Sequence, residues 1–203
     1  MDRMDLLTTV LLILTAYLLG SVPSGYWIGL LVARIDVRTV GSGNIGATNV
    51  ARNLGRQWGF LVLVLDVAKG AIPVALALNI CPAEAGGALI KIALVALAAF
   101  FGHLTSLFLR FRGGKGVATA LGISLVLLPK AALAALATFL FVTWLWRYVS
   151  LGSITAVLTL PIWTVLAAYP PAYVGLTCVF AVGISIRHRS NIRALLQGRE
   201  RKI

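Results

Sequence analysis

Long apolar runs alternate along this chain with short polar islands, and the runs are too long for strands. Apolar stretches cover 6–32, 59–80, 88–109, 117–128, 131–146, 152–168 and 172–186. Several approach or exceed the ~20 residues that carry a helix across a hydrocarbon core. A helix suits that setting because it satisfies its own backbone N–H and C=O groups where water is absent. The 117–128 run is the shortest and fits a tilted or partly sunk helix. The first run is interrupted at Ser21-Val22-Pro23-Ser24-Gly25, where proline deletes a backbone hydrogen bond and kinks a helix. Turns are expected at 81–87, which holds Pro82 and Glu84, at Pro129-Lys130, at 147–151 and around Pro170-Pro171. The pattern predicts an all-α, polytopic membrane protein of about seven transmembrane helices, with residues 1–203 forming a single domain.

Composition agrees with the pattern. Residues are 60% hydrophobic and only 12% charged, whereas a soluble domain carries roughly a quarter charged residues. The first run, preceded by Asp2, Arg3 and Asp5 and followed by no A-x-A site, is expected to be a span rather than a cleaved signal. Cys81 and Cys178 make no disulfide framework, and no cysteine–histidine cluster has metal-ligand spacing, so neither metal nor cofactor is expected.

The net charge of +12 would suit a nucleic-acid partner if the basic residues lined one soluble face. Instead they lie between the spans. Arg34, Arg38, Arg52, Arg56, Arg110, Arg112, Lys115, Arg147, Arg187, Arg189, Arg193, Arg199, Arg201 and Lys202 fall on one side of a seven-span topology. Only Arg3, Lys91 and Lys130 fall on the other, with Lys69 inside a span. The positive-inside rule then puts the N-terminus outside and the C-terminus in the cytoplasm. The expected partner is the lipid bilayer, not nucleic acid.

Three polar stretches share that cytoplasmic side, which would let them meet. The first, 41–55, reads GSGNIGATNVARNLG. Its Gly41, Gly43 and Gly46 match G-x-G-x-x-G, but no strand precedes them and no βα alternation follows, so a dinucleotide fold is excluded. The remaining physics is anion binding: backbone N–H groups around glycines, and the positive end of a helix starting near Ala47. Asn44, Thr48 and Arg52, four residues apart in turn, would give that helix a polar face. The alternative is a flexible interfacial loop. The second stretch, Arg112-Gly113-Gly114-Lys115-Gly116, lacks the Walker A pattern but also sets lysine among glycines at a helix start. Ordinary cytoplasmic positive charge would explain its arginines but not its glycines. The third carries His188 and Asn191 one helical turn apart, followed by Glu200, a pair able to orient a hydroxyl or move a proton.

Within the spans, Asp66 and Lys69 share a helix face, and charges at that depth either serve function or satisfy each other. His103 is expected to make a helix-packing hydrogen bond.

Taken together, GSVPSG at 20–25, the 41–55 stretch, LDVAKG at 65–70, GH at 102–103, RGGKGVATALG at 112–122 and HRSNIRALLQGRE at 188–200 resemble one family nearly end to end. It is the PlsY family of bacterial membrane acyltransferases, which acylate glycerol 3-phosphate from acyl phosphate. Where the family usually has an aromatic-proline pair after the GH histidine, this chain has Thr105-Ser106, and Ala194 stands where an arginine is usual.

The resemblance implies an enzyme that moves a fatty acyl group to the 1-hydroxyl of sn-glycerol 3-phosphate. The products would be lysophosphatidic acid and phosphate, in the first step of phospholipid synthesis at the inner membrane, with the site facing the cytoplasm. It implies catalytic roles for Ser42, Arg52, His188 and Asn191, and a phosphate-binding loop at Gly113, Gly114, Lys115 and Gly116. Gly41, Gly43, Asn44, Gly46, Thr48 and Asn49 are expected to bind the second phosphate, with Asp66, Lys69 and Glu200 structural. Which loop takes which phosphate, and whether His188 or a substrate phosphate is the base, stays open at this level. The acyl tail is expected in an apolar groove beside Pro23, reachable from Gly25. A small anion transporter is the rival class. It explains Asp66 and Lys69, the broken first span and the basic loops, but suits the topology less well, since all three motifs share one side and no repeat of spans is apparent.

Overall fold

The computed structural model describes residues 3–81 and 87–203. The expected loop with Pro82 and Glu84 lies outside the described residues apart from its ends, as does Asp2. In chain order the helices are α1 (Arg3–Ser21), α2 (Ser24–Ala33), α3 (Ala47–Leu54), α4 (Arg56–Ile80) and α5 (Ala88–Leu104). After one 3-10 turn (Leu107–Leu109) come α6 (Val117–Leu127), α7 (Pro129–Trp146), α8 (Val149–Leu166), α9 (Pro171–Arg187) and α10 (Arg189–Leu196). Among the described residues there is no strand. Among the described residues, five segments are long and apolar enough to cross a membrane: Met4–Ala33, Arg56–Ile80, Ala88–Leu109, Pro129–Trp146 and Val149–Leu166. Val117–Leu127 and Pro171–Arg187 are apolar but shorter. Large apolar side chains such as Leu31, Phe60, Trp144 and Leu166 are exposed on these helices, as a hydrocarbon solvent permits and water does not.

Two compact units divide the chain, Met1–Ile123 and Ser124–Ile203, and the boundary falls inside α6. In the first, α1 packs along α5 through glycines. A Cβ on Gly20 would lie 2.1 Å from the Ala99 carbonyl oxygen, and one on Gly102 would lie 2.4 Å from that of Tyr17. Small residues let helix backbones approach in this way where hydrophobic burial supplies no drive. Polar ties close both ends of the α1–α5 pair. Lys91 Nζ meets Asp5 Oδ1 at 2.6 Å. At the other end Tyr17 donates to the Thr105 carbonyl at 2.7 Å and Ser106 donates to that of Ser21. The Thr105-Ser106 pair is thus anchored by these two bonds.

The proline break expected in the first run separates α1 from α2 at Val22-Pro23. The carbonyl at the break is capped from α4: Lys69 Nζ donates to the Val22 oxygen at 2.7 Å and pairs with Asp66 Oδ1 at 2.9 Å. Both charged residues are buried. Breaking such a pair leaves an uncompensated buried charge, which costs several kcal/mol. The roles expected of Asp66 and Lys69 converge here, an ion pair that also closes a helix break.

In the second unit α7 packs on α8, α8 on α9, and α10 rests against both α8 and α9. Two expected turns are corrected. Pro129-Lys130 opens α7 rather than preceding it, and Leu128 alone stands between helices. Proline suits a first helical position, where its missing N–H would have had no intrahelical acceptor. Likewise the 147–151 turn shrinks to Arg147, in the left-handed region at φ 63°, and Tyr148.

Candidate active site

The 41–55 stretch folds around one side chain. Asn49 is buried on α3, and its Nδ2 reaches the carbonyls of Val37 at 2.8 Å, Asn44 at 2.9 Å and Val40 at 3.2 Å. Its Oδ1 accepts the Ser42 N–H at 2.9 Å and Asn53 Nδ2 at 3.1 Å. Asn49 was expected to touch phosphate; its amide is engaged by the loop's own backbone. Gly41 sits at φ +61°, and a Cβ there would fall 2.3 Å from Asn49 Oδ1. This glycine is therefore required by the brace. Beneath the loop, Ile28, Val37, Ile45, Val50, Val62 and Leu109 form an apolar floor.

Helix α3 begins at Ala47 as expected. The polar face reading is corrected at Asn44, which precedes the helix because Gly46 is its N-cap. Thr48 and Arg52 remain one turn apart on α3. Ser42 and Arg52 are exposed, Asn44 and Thr48 half-buried. Arg38, close to this loop, is held by Asp36 at 2.7 Å and lies 4.6 Å over the Tyr26 ring. The guanidinium in turn holds the Asp36 carboxyl below its ordinary range.

Gly25, expected to border an acyl groove, packs against this loop. A Cβ there would lie 1.9 Å from the Ile45 carbonyl oxygen and 3.1 Å from Val50. Any side chain at 25 would push on the loop itself.

The 112–116 loop folds back on the end of α5. Gly113 N–H donates to the Leu104 carbonyl at 3.1 Å and Gly114 N–H to that of His103 at 3.0 Å. A Cβ would lie 2.0 Å from the His103 oxygen at Gly113 and 2.3 Å from His103 Nε2 at Gly114. Gly116, at φ +88°, would carry a Cβ 2.5 Å from Leu104 and 2.6 Å from Phe100. Lys115 is half-buried between buried Gly114 and Gly116.

Four of the N–H groups expected to line the two cradles are engaged inside the fold. The N–H groups of Ser42, Gly43, Gly113 and Gly114 each have an acceptor within their own unit, that of Gly43 being the Val40 carbonyl at 3.0 Å. An anion at either loop would be met by side chains and by the first turns of α3 and α6, whose leading N–H groups lack intrahelical acceptors. Gly41, Gly113, Gly114 and Gly116 also serve close packing.

In the second unit His188 caps the junction of α9 and α10 and is buried, with Nδ1 2.9 Å from the Ile184 carbonyl oxygen. A carbonyl only accepts, so Nδ1 carries a proton and Nε2 is the basic nitrogen of the neutral ring. Glu200 Oε1 accepts from Asn191 Nδ2 at 2.8 Å and from Ser150 Oγ at 2.7 Å. The tail is thereby tied to the start of α8, where Ile203 N–H also donates to the Arg147 carbonyl at 2.9 Å. Ser150 is a participant that no motif signalled.

Fold and loops together define a class: a helical integral membrane protein whose glycine-rich basic loops are braced from within and present serine, arginine and lysine side chains. The chain belongs to the glycerol-3-phosphate acyltransferase family, whose model matches residues 10–198, and is an acyltransferase. It is 46% identical to the glycerol-3-phosphate acyltransferase of Syntrophotalea carbinolica over 95% of this chain and 96% of that one. With the enzyme of Trichlorobacter lovleyi it shares 49% over 92% and 93%. Among solved structures it resembles the glycerol 3-phosphate form of PlsY (YgiH), an integral membrane glycerol 3-phosphate acyltransferase. That match has a TM-score of 0.91 and 40% identity, covering 97% of this chain and 96% of that one. The lysophosphatidic acid form of PlsY matches with a TM-score of 0.88 and 39% identity, covering 97% and 95%.

Proposed function

We propose that this protein transfers a fatty acyl group from acyl phosphate to the 1-hydroxyl of sn-glycerol 3-phosphate, yielding lysophosphatidic acid and inorganic phosphate. The observation that carries the reading is the near full-length likeness to PlsY in a glycerol 3-phosphate form and in a lysophosphatidic acid form, an acceptor and its acylated product. The donor follows from chemistry and from the family motifs. An acyl phosphate is a mixed anhydride, so its carbonyl is already activated and phosphate leaves readily. No acyl-enzyme is needed, and catalysis reduces to positioning and charge stabilisation.

The glycerol oxygen forms a bond to the acyl carbon while the bond from that carbon to the phosphate oxygen breaks. The hydroxyl proton passes to a base and the electron pair leaves with phosphate. Ser42, Arg52 and Lys115 bind the two phosphate groups, divided between the two loops. Arginine grips phosphate oxygens in a bidentate fork, and lysine acts as a point charge. His188 Nε2 takes the proton, a role supported by the hydrogen bond that holds Nδ1 as a donor. Asn191 orients the acceptor, while Glu200, Asp66, Lys69 and Asn49 hold the framework.

The chain acts as one acyltransferase domain over 1–203, with seven spans formed by α1–α2, α4, α5, α6, α7, α8 and α9. The N-terminus faces outward. The C-terminus and all three polar stretches lie in the cytoplasm, at the bacterial inner membrane, on the strength of the charge asymmetry. Folded protein in detergent that forms no lysophosphatidic acid from acyl phosphate and glycerol 3-phosphate would overturn the proposal.

A further inference from the structure

The proposed reaction leaves one buried polar cluster without a part in it. His103, near the end of α5, is buried with Asp66 and Thr119. Its Nδ1 lies 3.1 Å from Thr119 Oγ1 on α6 and 4.0 Å from Asp66 Oδ1 on α4. The other edge of the ring faces the glycine loop, where a Cβ on Gly114 would meet Nε2 at 2.3 Å and the adjacent ring carbons at 3.1 and 3.2 Å. The same residue holds the loop by its backbone, since its carbonyl accepts the Gly114 N–H at 3.0 Å. One histidine therefore supports the residue before Lys115 by main chain and by ring, and its own orientation is fixed by Thr119, four residues beyond Lys115. Gly70 brings α4 against the same place, because a Cβ on it would lie 2.3 Å from the Thr119 carbonyl oxygen.

We propose that His103 is a positioning residue for the 113–116 loop, acting through Gly114 to set where the Lys115 ammonium meets a phosphate group. The inference rests on the reading of Lys115 as a phosphate ligand. Its signature is in binding: the KM for one phosphate-bearing substrate rises while kcat is kept, as for an interaction made equally in ground and transition states.

His103→Leu is expected to raise that KM about tenfold with kcat within about twofold. His103→Asn, which retains a polar atom near the position of Nδ1, is expected to recover most of the loss. A second measurement stands apart from folding effects. Gly114→Ala is harmful because its Cβ meets the ring, so His103→Ala combined with Gly114→Ala should bind better than the sum of the single effects predicts. Strict additivity, or equal loss of kcat and thermal midpoint in His103→Leu and His103→Asn with KM unchanged, would overturn the proposal. If the wild-type protein transfers no acyl group, the functional reading fails separately. The affinity of the same variants for inorganic phosphate, by calorimetry, then decides the role of His103, and an unchanged affinity in His103→Leu refutes it.

Discussion

Asn49 Oδ1 accepts the backbone N–H of Ser42 at 2.9 Å, so a buried side chain fixes the serine proposed to meet substrate. The same amide holds three carbonyls through its Nδ2. This arrangement makes the substitution order at 49 unusual. Asn49→Ala strips acceptors and donors together, with a cost of roughly 1–3 kcal/mol for each buried group left unsatisfied. Asn49→Asp is nearly isosteric yet worse, because it sets a carboxylate against the oxygens of Val37, Val40 and Asn44. Thermal unfolding in detergent is expected to rank wild type above Ala above Asp, with kcat/KM following. Asp equal to wild type would show that the amide donor is dispensable.

Glu200 joins Asn191 and Ser150 through a single oxygen. Since acceptance matters and not charge, Glu200→Gln should keep most activity, whereas Glu200→Ala should lose more than about tenfold, as expected when one hydrogen-bonded unit loses its shared member. Hydrogen exchange at 197–203 is expected to rise in Ala alone. Equal loss in both variants would assign the role to the negative charge.

Gly25 has no room for a methyl group against the Ile45 carbonyl, where an added Cβ would sit at 1.9 Å. Gly25→Ala should therefore disturb the 41–55 loop and lower kcat/KM for short and long acyl donors alike. A selective loss of long-chain donors would instead restore the acyl groove expected from the Pro23 break.

Much of this was legible in the chain. Glycine density and polar spacing predict α3 from Ala47, and the apolar runs predict the helices, because both signals are local and periodic. What stayed hidden is contact over long sequence distances. The glycines of 113–116 suggest an anion cradle, and only the structure reveals that His103 and Leu104 also leave them no space for a side chain. Asn49 looks like one donor among several until its amide is found engaged inside the loop. Ser150 stands 50 residues from Glu200 and lies in the expected turn at 147–151, with no motif to distinguish it. Proline misleads at Pro129 because one residue type both ends helices and begins them.

His188 is held with Nδ1 as donor by the Ile184 carbonyl, and its Nε2 is the proposed acceptor of the hydroxyl proton. A base must be deprotonated to act, so kcat/KM is expected to show an acid limb that depends on His188. His188→Gln should lose both most of the rate and that acid limb. An unchanged limb on a lowered rate would assign the proton to a substrate phosphate and leave His188 in a positioning role.

The central claim is the identity of the donor, and the most direct test compares acyl phosphate with an acyl thioester of the same chain length. Purified protein in detergent is given each donor with glycerol 3-phosphate, and lysophosphatidic acid and inorganic phosphate are both quantified. The expected result is lysophosphatidic acid from acyl phosphate only, with one phosphate released for each molecule formed. Equal or better transfer from the thioester, or phosphate release without lysophosphatidic acid, would contradict the account.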